Sequence, residues 1–144
     1  MTELTPHPSP LTTRPWMSRV LYAAAVYNLA WGALVVLFPL APFRWTGMPP
    51  PNYPEIWQCL GMVVGVYGVA YALAARDPLR HWPIVLAGLL GKILGPMGFL
   101  YAASQGRLPW RASWTILTND LIWWLPLAVM LGAAYRSRAE HNAD

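Results

Sequence analysis

The chain has 144 residues, 56% of them hydrophobic and only 11% charged. A soluble domain carries about 25% charged residues, so a conventional water-facing surface is excluded. The net charge is +4, but the basic residues stand singly or in loose pairs, which excludes the dense cationic face that nucleic acid needs.

Residues 1–17 hold Pro6, Pro8, Pro10 and Pro15 and read as a disordered N-terminal tail. Four apolar runs follow, at 20–40, 56–75, 83–103 and 114–135. Each is about 20 residues long, enough to cross a hydrocarbon core of about 30 Å. No short-period alternation of the β-barrel kind appears. The expected fold is therefore all-α, a bundle of four transmembrane helices with short loops spanning 18–136. Residues 137–144 form a C-terminal tail.

The first run carries Asn28 near its middle. It is long and lacks a small-residue cleavage site, so it reads as a retained helix and not a signal peptide. Pro49, Pro50, Pro51 and Pro54 then stiffen the loop to the second run.

The second run opens with Gln58 and Cys59 and carries Gly61, Gly65, Gly68 and Tyr67. The third carries Gly88, Gly91, Gly95 and Gly98. Steps of three and four put each glycine set on one helix face. Small residues let helices approach closely in lipid. The second and third helices are therefore expected to pack tightly on each other, within one chain or across a homodimer. Cys59 stands alone, without a cation beside it in sequence, and reads as a small packing residue. With one Cys and three scattered His, no metal centre is expected.

Lys92 is the one Lys among ten basic residues, and it lies in the third run. At 1.5 Å per residue it sits about 14 Å deep, near the bilayer midplane. Four residues later Pro96 removes the backbone hydrogen bond that would use the carbonyl of Lys92. The fourth run carries Thr118, Asn119 and Asp120, then Trp123 and Trp124, and Pro126 one turn further on. A charge at the centre of a transmembrane helix costs roughly 2.5–3.5 kcal/mol, so it normally faces protein or water. The expected site is a polar pocket opening toward the outer side. Its centre is Lys92, Asp120 and Asn28, with Gln58, Tyr67, Asn119, Trp123 and Trp124 around it. Three uses fit such a pocket: a structural ion pair that fixes helix register, a ligand site, or proton transfer.

Six Arg flank the first side of the spans (14, 19, 76, 80, 136 and 138) and three the other (44, 107 and 111). In a bacterial inner membrane this bias places both termini in the cytoplasm. Trp16, Trp45, Trp57, Trp82, Trp110 and Trp114 fall near span ends, as interfacial aromatics do.

The strings WQCLGMVVGVYGVAY, GLLGKILGPMGF and TNDLIWWLP resemble a group of small bacterial four-helix membrane proteins. The resemblance runs from Tyr22 to Leu131, and in overall plan the chain is similar to the DoxX-like class. That class implies a small membrane subunit linked to thiol or thiosulfate oxidation and to quinone. The short loops leave no soluble catalytic domain. The expected function is thus a non-enzymatic accessory subunit or a module binding a lipid or quinone. The alternatives are a component of a quinone-linked oxidoreductase and a small dimeric transporter. Expected partners are the bilayer, a second copy or a membrane complex, and not nucleic acid.

Overall fold

A computed structural model describes residues 14–141. They form helices α1 (Pro15–Leu37), α2 (Ala41–Thr46), α3 (Pro54–Ala74) and α4 (Trp82–Ser104). A 3-10 turn at Trp110–Ser113 leads into α5 (Trp114–Ile116), a π turn (Leu117–Leu121) and α6 (Ile122–His141). Among the described residues there is no strand. α1, α3, α4 and the compound helix from Trp110 onward are each long and apolar enough to cross a membrane. The four-helix, all-α expectation is met. Apolar residues also cover the outside of the bundle: Val26, Val66 and Leu125 are 67%, 67% and 75% exposed. Helices that are apolar all round suit lipid and not water.

Prolines set the starts. Pro15, Pro54 and Pro83 each occupy the first turn of α1, α3 and α4. There the missing N–H costs nothing, and the fixed φ favours the helix. The helix boundaries correct two expectations. Pro15, Trp16 and Met17 belong to α1, not to a tail, and Met17 is buried. Residues 137–141 continue α6. The rest of both expected tails, 1–13 and 142–144, lies outside the described residues. The Pro-rich loop also contains a helix, α2, that ends at Gly47. This residue has φ 62°, a left-handed conformation that glycine adopts without strain.

The bundle has two different ends. At the end holding the termini and the α3–α4 turn, Leu21, Ala25, Tyr71, Ala74, Leu127 and Met130 belong to one buried apolar cluster. Arg138 stacks over Trp82 there, 5.2 Å from the ring centroid. At the opposite end, the two longer linkers are joined. Arg111 Nη2 donates to the carbonyl of Gly47 at 2.5 Å.

The glycine faces do not serve each other. The α3 stripe packs on α1. A Cβ at Gly68 would lie 2.9 Å from the carbonyl oxygen of Ala25, and one at Gly32 only 2.6 Å from that of Gly61. Gln58 Nε2 fastens the same seam by donating to the carbonyl of Val36 at 2.8 Å. On α4, Gly88 alone of the four meets α3, under the ring of Tyr71. Gly91 and Gly98 face open space, and Gly95 faces Asp120. The expected tight packing of the second span on the third is thus not made within the chain. Gly32, one residue on α1, supplies the matching small face instead. Cys59 is exposed and packs no core.

Candidate functional site: an intramembrane polar cavity

Four of the long helices bring polar groups to one place. Asn28 comes from α1, Tyr67 from α3, Lys92 from α4, and Asn119 and Asp120 from the π turn. All five line a single cavity of about 230 Å³. Val63, Ala87 and Gly91 are exposed members of its wall. The cavity therefore has an opening sideways, between α3 and α4.

The local chain explains how these groups are held. A π turn has one more residue than an α turn, and such turns recur at functional sites. Here it spans Leu117–Leu121 and carries both Asn119 and Asp120. Lys92 Nζ donates to the main-chain carbonyl of Asn119 at 2.5 Å. Asn119 Nδ2 lies 3.2 and 3.3 Å from the two carboxylate oxygens of Asp120 and donates to them. Lys92 and Asp120 are thus linked through Asn119 and do not bond directly to each other. Asp120 is 7% exposed and Asn28 4%. Asn28 makes no side-chain hydrogen bond among the described residues, so its amide keeps its donors and acceptor for the cavity. An ammonium has three donors, and the backbone of Asn119 takes one.

Pro96 leaves the carbonyl of Lys92 without its helical partner. Trp124 Nε1 supplies the missing donor, at 2.9 Å. The indole thereby ties α6 to the break in α4 and fixes the backbone that carries the Lys.

No protein-family model, curated protein or solved structure matches the chain.

Three of the eight expected pocket residues do other work. Gln58 closes the α1–α3 seam. Trp123 is buried in the apolar cluster, with its ring 5.8 Å from that of Tyr27. Trp124 bonds the Lys92 carbonyl and lines no cavity described here. A regular helix would place residues 123 and 124 on the face of Asp120. Here Trp124 does meet α4 beside Asp120, but its indole is spent on the Lys92 carbonyl, and Trp123 is spent on the apolar cluster.

A second cavity, of about 180 Å³, lies on the other side of the π turn. Asn119 and Asp120 form part of both walls. Tyr27 stands between the two, lining the second cavity while Lys92 Nζ sits 5.9 Å from its ring centroid. This cavity is not legible in the sequence. Its Trp residues look like ordinary interfacial anchors, and the fold-back of α2 that gathers them is hidden in a Pro-rich loop.

Proposed function

We propose that the protein is a membrane-embedded binding module for a small hydrophobic molecule with a polar head. The polar cavity with its sideways opening carries this reading. A ligand dissolved in the bilayer reaches Lys92 between α3 and α4 without crossing water. The two unspent donors of the ammonium and the free amide of Asn28 suit a carbonyl-bearing or phosphate-bearing head, such as that of a quinone or a lipid. Val63, Val64 and Ala87 offer the apolar wall for the tail. In this reading the protein is an accessory subunit without a reaction of its own.

The Arg distribution supports a bacterial inner-membrane setting with both termini cytoplasmic. The open Gly98 face of α4, away from the cavity mouth, supports a partner there, a second copy or another membrane subunit. A small dimeric transporter would use that same face. The DoxX-like resemblance supports a further reading, in which Lys92 and Asp120 move protons beside a quinone in an oxidoreductase component.

Native mass spectrometry after mild detergent extraction tests the binding reading. The wild-type chain should carry a lipid or quinone, and Lys92→Met and Asp120→Asn should lose it while remaining folded. An empty wild-type chain contradicts the proposal. If instead a quinone is present and is reduced when a thiol donor is added, the oxidoreductase reading takes precedence.

A further inference from the structure

The second cavity has a chemistry of its own. Six aromatic rings contribute to its wall: Tyr27, Trp31, Phe43, Trp45, Trp57 and Trp114. Phe43 and Trp57 hold each other edge to face, with centroids 5.2 Å apart and planes at 70°. Aromatic faces are electron-rich and attract cations, most strongly where water is excluded. The single charged group in the wall is Asp120, and no Lys, Arg or His joins it.

The hydroxyls point the same way. Thr46 donates to the carbonyl of Pro42 at 2.8 Å, Thr115 to that of Ala112 at 2.7 Å, and Thr118 to that of Thr115 at 3.4 Å. A hydroxyl has one proton to give, so toward a ligand Thr46 and Thr115 can only accept, while the longer Thr118 contact leaves that hydroxyl free to donate or accept. Arg111, which donates one hydrogen bond to Gly47, lies outside the wall. Carboxylate, accepting hydroxyls and π faces together favour a cation, and beside them the indole N–H of Trp57 is a buried donor without a partner.

The ring of Tyr27 already has one ammonium near it, that of Lys92. The size is right for a second. A dry cavity of about 150 Å³ holds a benzene molecule. The present one, about 180 Å³, has room for a trimethylammonium group.

We infer that this aromatic vestibule binds a quaternary ammonium group, with Asp120 at its base as the counter-charge. This site lies beyond the Lys92 cavity and takes a ligand of opposite polarity. The ammonium group has two sources, a free organic cation or the headgroup of a choline lipid.

The test uses the full-length chain in a maltoside detergent, which carries no ammonium. Choline and its uncharged isostere 3,3-dimethylbutanol are titrated while tryptophan fluorescence is followed. Choline should bind about tenfold tighter or better, as expected for a desolvated cation on aromatic faces. Asp120→Asn should bring the two ligands together. Trp114→Leu, at a half-exposed position, should weaken choline about tenfold and keep the chain folded. Lys92→Met should retain the preference, even as it empties the other cavity. That separates failure of this inference from failure of the hydrophobic-ligand reading. Dihexanoyl phosphatidylcholine is then compared with dihexanoyl phosphatidylglycerol. A preference for the choline lipid with weak free choline assigns a headgroup, and strong free choline assigns a soluble cation. Equal binding of choline and its isostere, binding of neither, or an unchanged preference in both Asp120→Asn and Trp114→Leu overturns the inference.

Discussion

The two halves of this bundle solve different problems with the same helices. Toward the termini, Leu21, Tyr71, Leu127 and Met130 are 1% exposed or less, within one apolar cluster, and the hollow of about 240 Å³ at that end lies on its outer face between the exposed Leu86, Tyr135 and Arg138. Toward the longer linkers, two cavities meet at Asn119 and Asp120, with a Pro break in α4 and a π turn beside them. In lipid, helices associate through close packing and polar contacts and not by excluding water. A half given over to cavities gives up much of that packing. The filled half, together with the α1–α3 seam, therefore has to hold the fold, and the open half is released for binding.

This division can be broken by mutation. The largest loss is expected for Leu127→Ala in the filled half, about 2–5 kcal/mol, read by denaturant unfolding in detergent. Gly32→Ala comes next. Its new methyl would press on the backbone of Gly61, and overpacking of this kind costs about 1–3 kcal/mol. Trp124→Phe should cost about 1–3 kcal/mol by leaving the Lys92 carbonyl unpaired. Gly98→Ala, facing open space, should change stability by no more than about 0.5 kcal/mol. If Gly98→Ala proves as damaging as Gly32→Ala, the α4 face is packed against a partner under the conditions of the assay.

The four spans and most of the polar cavity are legible in the sequence. Prolines at 15, 54 and 83 mark helix starts because they are tolerated only there. Asn28, Tyr67, Lys92, Asn119 and Asp120 share a depth, and depth is a simple function of residue count in a membrane helix. The consequence of Pro96 is legible too, since a freed carbonyl in lipid must find a donor. The identity of the donor, Trp124, is not. Rotation about the helix axis depends on the π turn, and nothing in TNDLIWW announces one. The glycine stripes have a similar limit. Spacing shows that Gly61, Gly65 and Gly68 share a face, but it does not name the helix that covers it. The covering residue is Gly32, a lone glycine on α1. The aromatic vestibule is invisible for a different reason. Its rings come from four separated segments, and α2 brings them together.

Ligand-dependent stability tests the division between the halves most directly. Thermal unfolding is followed with and without a short-chain quinone and a short-chain phospholipid, in wild type, Leu127→Ala and Lys92→Met. A ligand at about 100 times its Kd stabilises the folded state by about 2.7 kcal/mol. Wild type and Leu127→Ala should both be stabilised by one of the two ligands, although the variant starts from a lower melting temperature. Lys92→Met should start near the wild-type temperature and gain nothing. If Lys92→Met is instead the variant that unfolds early, or if it is stabilised as much as wild type, then Lys92 serves the fold and the cavity is not its reason for being there.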